Sequence, residues 1–195
     1  MKPLTFSGYQ AKNADSHQLA PFAWLTHAVM WGGVVVLGAW GVLRACDLTV
    51  NLSGSMPVGV YRRTQEPLRV GQIVAVCLPA AVAQLGLARG YLHAGPCLSG
   101  TQAVLKRIAA MGGDVVEVAP TGVTINAQPV PQSAVLDSDS HGRDLLHVPW
   151  GTMTLAPGEL WLLSTHDARS WDSRYYGPVP RGAVLATARP LWVVE

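Results

Sequence analysis

Residues 103–126 read AVLKRIAAMGGDVVEVAPTGVTIN. Three short β-like runs, 103–108, 115–118 and 123–126, lie between Gly- and Pro-containing breaks, and Pro120-Thr121-Gly122 reads as a hairpin turn. The same pattern recurs outward at 58–62, 72–77, 160–164 and 183–188. No long stretch here carries helical periodicity. The best short-helix candidate is 80–89, AAVAQLGLAR, and the Ser/Asp-rich stretch 129–150 reads as a polar excursion from the sheet. With no internal repeat or low-complexity tract, residues 46–195 are expected to form one mostly β domain, long enough to bury its own core.

The segment before that domain differs in kind. Residues 22–43, FAWLTHAVMWGGVVVLGAWGVL, hold no Asp, Glu, Lys or Arg. As a helix they would span roughly 33 Å at 1.5 Å per residue, enough for a hydrocarbon core of about 30 Å. Trp24 and Trp40 suit the two interfaces. A buried core helix is the alternative, and charge-free length argues against it. A cleaved signal peptide would have a shorter apolar region ending in small residues, whereas Arg44 follows this one. The reading is an uncleaved transmembrane signal anchor at 22–43. Lys2 and Lys12 favour a cytoplasmic N-terminus, 1–21, leaving 46–195 outside the inner membrane, in the periplasm.

Charge and composition support this division. Of 195 residues 49% are hydrophobic and 13% charged, against about 25% charged in average soluble domains; mean hydropathy is +0.24. Disorder is excluded. Residues 46–195 hold ten Arg, one Lys and 11 Asp plus Glu, a neutral balance that offers no electrostatic surface for nucleic acid. The cysteines Cys46, Cys77 and Cys97 have no zinc-type spacing. In an oxidising compartment Cys77 and Cys97, which bracket the short helix, would close a loop of about 20 residues worth roughly 3 kcal/mol; three free thiols are the alternative.

Two places could carry chemistry. Asn51-Leu52-Ser53-Gly54-Ser55-Met56-Pro57-Val58-Gly59 surrounds a serine with small residues, a setting in which a hydroxyl is reachable by a substrate backbone; by composition it is equally an ordinary Gly/Ser turn. Lys106 is the only lysine after residue 12. Burial in an apolar strand would lower its pKa and make the amine a general base, which arginine cannot become. A lone surface lysine in an arginine-biased chain is the plain alternative, and strand alternation does not decide the face Lys106 takes. A Ser-His-Asp arrangement drawing on His166-Asp167, His93, His141 or His147 lacks a Gly-x-Ser-x-Gly elbow.

Taken in order, Ser55-Met56-Pro57, Lys106-Arg107 with Gly113-Asp114, and Asp172-Ser173-Arg174 resemble the signature of type I signal peptidases. Residues 57–61, PVGVY, 169–179, RSWDSRYYGPV, and 188–192, ARPLW, look more like the conjugative-transfer, TraF-type branch of that family. The resemblance spans roughly residues 50–194 and implies a signal-peptidase-like β domain with a Ser/Lys dyad. Ser55 would be the nucleophile and Lys106 the base. Ser53 would join the Ser55 N–H in an oxyanion hole, and Ser170 would position the lysine amine. Asp172 and Arg174 would brace the site as an ion pair, and Met56 and Pro57 would line the substrate cleft. No metal or cofactor would be needed. The implied activity is a membrane-anchored serine endopeptidase acting on an exported protein, a conjugative pilin that it trims and can cyclise. A general signal peptidase removing leader peptides and a non-catalytic pilus-assembly factor are the alternatives.

Overall fold

The computed structural model describes residues 20–194. The expected cytoplasmic segment 1–21 therefore falls almost wholly outside the described residues. The chain divides into two units, 1–43 and 44–195. In the first, helix α1 spans Ala20–Ala45 and contains the charge-free stretch. Its described side chains, 24–39 and 41–42, are exposed. Among the described residues no helix is long and apolar enough to cross a membrane.

The second unit is mostly β. A seven-stranded antiparallel sheet is built from β1 (Leu48–Asn51), β2 (Val58–Thr64), β3 (Ile73–Val76), β4 (Val104–Met111), β9 (Glu159–Leu163), β10 (Val179–Pro180) and β11 (Val184–Val194), in the order β1-β2-β11-β3-β4-β9-β10. A smaller sheet takes β5 (Val115–Ala119), β6 (Gly122–Ile125), β7 (Gln128–Pro129) and β8 (Gly151–Thr154), in the order β7-β6-β5-β8. The hairpin at Pro120-Thr121-Gly122 joins β5 to β6.

The central strands are covered on both faces. Along β3, Val74 and Val76 pack with Ile108, Leu160 and Leu162, while Ile73 and Ala75 pack with Tyr61, Leu105 and Ala188 on the other side. Sheet register then settles the orientation of Lys106. It pairs with Val74, and Leu105 pairs with Ala75; directly opposed residues share a face. Lys106 thus lies on the Val74 face and Leu105 on the other.

Helix α2 (Ala80–Arg89) ends at Gly90, which adopts φ 74° and closes the last turn as a left-handed cap. Gly86 lets α2 approach the segment that carries the site: a Cβ there would lie 2.5 Å from Leu92 Cδ1 and 2.9 Å from the Trp171 ring. Helix α3 (Ser173–Tyr176) is a single turn capped by Asp172, which accepts from the Arg174 N–H.

Cys77 and Cys97 are joined by a disulfide closing a 20-residue separation, and Cys46 is a free, exposed thiol. The closed loop contains α2 and the wall residues Leu78, Tyr91 and Leu92 of the cleft described below. Non-reducing peptide mapping of the chain should recover the segments around Cys77 and Cys97 as one linked species. Cys46 linked to either partner, or three free thiols, would contradict that pairing.

Candidate active site

The loop between β1 and β2 carries Ser53 and Ser55, and its shape is set by Asn51, the last residue of β1. The buried Asn51 amide Nδ2 donates to the carbonyls of Ser53, Met56 and Pro57 at 3.0, 2.9 and 3.1 Å. Its Oδ1 accepts from the Ser53 N–H at 3.2 Å and the Ser53 hydroxyl at 2.7 Å. Tyr61 Oη closes the far end by donating to the Pro57 carbonyl at 2.6 Å. One asparagine thus replaces the ladder that this loop cannot form.

These bonds fix the resting direction of the Ser55 proton. A serine hydroxyl has one hydrogen, and that of Ser53 goes to Asn51 Oδ1. The 3.3 Å contact between Ser53 Oγ and Ser55 Oγ therefore has Ser55 as donor. Ser55 is half-buried and Ser53 exposed.

Lys106 is 4% exposed, and its Nζ donates to Ser170 Oγ at 2.6 Å. Burial pushes the amine down from 10.5 to about 8. Asp172 and Asp167 pull it upward, and Arg174 pushes it further down. Ser170 is itself buried. Its neighbour pair, Asp172 and Arg174, is inaccessible, with Arg174 Nε 2.8 Å from Asp172 Oδ1. All five guanidinium N–H groups have acceptors: both Asp172 oxygens and the carbonyls of Ala134, Ala168 and Ser170. A buried pair is costly unless satisfied in this way, and the pair holds the backbone on both sides of Ser170.

Ser53, Ser55, Lys106 and Ser170 line one cleft of about 390 Å³. Among the described residues Ser55 and Lys106 share this cleft without a hydrogen bond between them. The opposite wall comes from the excursion 129–150, pinned by Asp139. That carboxylate accepts from Tyr91 Oη at 2.6 Å, Arg143 Nε at 2.7 Å, and the His141 and Arg143 N–H groups. Burial alone would raise Asp139, but these donors hold it well below the usual carboxylate range.

Met56 and Pro57 differ from expectation. Neither lines the cleft. Met56 is 2% exposed and packs with Tyr61, Ile73 and Leu105 beneath the loop, because Asn51 holds its carbonyl and the side chain turns into the core. Asn51 and Ser164 were not singled out in the sequence. Asn51 had one signal, an Asx residue at the end of a β run before a Gly/Ser loop. Among the described residues no group of three His, Cys, Asp or Glu is arranged to hold a metal ion.

The signal peptidase, peptidase S26 family model matches residues 24–193. The chain belongs to that family. Within it, the chain falls in the TraF-type branch: it is 36% identical to a plasmid transfer protein TraF from Escherichia coli over 82% of this chain and 93% of that one. It is 38% identical to a conjugal transfer protein TraF from Agrobacterium tumefaciens, over 73% of this chain and 81% of the relative. Among solved structures, a signal peptidase I from Enterococcus faecalis V583 matches at 21% identity over 64% of this chain and 98% of that chain, with a TM-score of 0.36.

Proposed function

We propose that the chain is a membrane-anchored serine endopeptidase of conjugative transfer, with Ser55 as nucleophile and Lys106 as general base. The observation that carries this reading is the buried Lys106 amine, lowered to about 8 and held by Ser170 in the cleft that also contains Ser55. A neutral amine that donates to Ser170 keeps its lone pair for another proton. Ser55 Oγ turns from Ser53 toward Lys106, gives up its proton and bonds to the scissile carbonyl carbon. The oxyanion takes the Ser55 N–H and, once Ser53 leaves Asn51, the Ser53 hydroxyl. The Lys106 ammonium then protonates the departing amine as the C–N bond breaks. Water, or an amine, attacks the acyl ester with Lys106 again taking the proton, and as the ester C–O bond breaks the Lys106 ammonium returns that proton to Ser55 Oγ. Asp172 and Arg174 act through the backbone around Ser170.

The proposed anchor is the charge-free stretch 22–43, and Lys2 and Lys12 on its N-terminal side favour a cytoplasmic N-terminus, with the β domain on the periplasmic side of the inner membrane. The relatives' names, plasmid transfer and conjugal transfer proteins, favour an exported conjugation substrate, a pilin, over general leader peptides. The test incubates the full chain in detergent with the candidate pilin precursor and follows its mass. Trimming by the wild type and none by Ser55→Ala supports the reading; an additional loss of one water from the trimmed product marks a ring. An unchanged precursor beside a folded wild-type chain leaves a non-catalytic assembly factor.

A further inference from the structure

We propose that Ser164 is a positioning residue for Ser55, an inference that rests on Ser55 being the nucleophile. Ser164 follows the last residue of β9 and is 1% exposed. Its hydroxyl accepts from the backbone N–H groups of His166 at 3.2 Å and Asp167 at 3.3 Å. Both acceptor positions are filled, so its single proton has one destination, the Ser55 carbonyl. Among the described residues no other side chain bonds the Ser55 backbone. Asn51 holds Ser53, Met56 and Pro57 and passes Ser55 by.

What stands behind Ser164 makes this bond more than a local contact. The Ser164 N–H donates to Asp172 Oδ2 at 3.3 Å, whose carboxylate is locked to the buried Arg174. The strap from Ser164 to Ser170 is tied at its middle, where the Ser170 N–H donates to the Asp167 carbonyl at 3.0 Å. One end of this strap grips the peptide of Ser55; the other end, Ser170, holds the amine of Lys106. Ser164 thus sets the separation of nucleophile and base across two segments more than a hundred residues apart in the chain. Ser164 Oγ bonds neither the Lys106 amine nor the Ser170 hydroxyl that holds it, and the Ser164 N–H to Asp172 survives its removal, so the ionisation of Lys106 should move little.

The test uses the full chain in detergent and an internally quenched leader peptide with alanine before the cut. Ser164→Ala is expected to lower kcat by about 10–100-fold, the scale of a nucleophile misplaced by about 1 Å. KM should stay within about twofold and the pH of half-maximal rate should not move. Ser164→Cys, of similar size with a weaker donor, should fall between Ala and wild type, and serves with the same criteria if the Ala variant does not melt cooperatively. A kcat within about threefold of wild type, a loss carried by KM, or a moved pH profile overturns the proposal. Ser55→Ala is run beside them. If it still cuts, the nucleophile reading fails. If it is inactive while Ser164→Ala is normal, only the positioning role falls.

Discussion

Ser55→Ala is expected to reduce processing to the floor of the assay, a loss on the order of 10⁶-fold, the scale on which a serine peptidase loses its nucleophile. The fold should not change. The Ser55 side chain is half-buried and its hydroxyl has a single partner, Ser53 Oγ, so the deletion opens no apolar cavity and strands no buried donor. Melting temperatures of variant and wild type should agree closely. Ser53→Ala should be milder, with a loss of about 10²–10³-fold for one oxyanion donor, because the Ser55 N–H remains. It also removes the acceptor that holds the Ser55 proton in the resting enzyme, which partly offsets the loss. Mass spectrometry of the product made by melting-matched variants separates these cases. Normal cutting by Ser55→Ala would remove the dyad from consideration.

The strands flanked by Gly or Pro were legible because each break is a local backbone constraint. Strand β11 was not read to its end. The β-like run expected at 183–188 continues through Pro190 to Val194. Against β2 the register shifts between Pro190 and Trp192, and this irregularity is how a strand absorbs a residue without an N–H. The face taken by Lys106 was undecidable from the sequence because residues 104–108, VLKRI, do not alternate apolar and polar and the neighbouring β3 is buried on both faces; its pairing with Val74 resolves it. Ser55, Lys106 and Ser170 were visible as motif residues. Asn51 and Ser164 were not, because their work lies in backbone groups they meet after folding: Asn51 had only its place before a Gly/Ser loop as a signal, and nothing local in an L-S-T stretch announces the partners of Ser164. Met56 failed for the opposite reason: its neighbours in sequence belong to the site, but the carbonyl held by Asn51 sends its side chain to the core.

Lys106→Arg should abolish activity while keeping a positive charge, with a loss of about 10²–10⁴-fold or more, the usual contribution of a general base. A guanidinium stays protonated above pH 12 and cannot accept the Ser55 proton. Under the proposed dyad the neutral amine of the wild type is the active form. With a pKa of about 8, the rate should rise about tenfold per pH unit below 8 and level off above it. The same displacement has a folding consequence of known sign. Below pH 8 the amine is charged in folded and unfolded chains alike, and the fold carries the full cost of burying it, about 3 kcal/mol. Between 8 and 10.5 the folded chain sheds the proton before the unfolded chain does, so wild-type stability gains; above 10.5 the cost is gone. Lys106→Met carries no such cost. It should be inactive, more stable than wild type at pH 7, and lose that advantage as pH rises toward 10.5. Urea unfolding of the two chains at pH 7, 9 and 10.5, beside the pH–rate profile, measures both effects. An Arg variant with near-normal rates, or a Met variant no more stable at pH 7 than the wild type, would show that Lys106 is not the desolvated amine on which the chemistry depends.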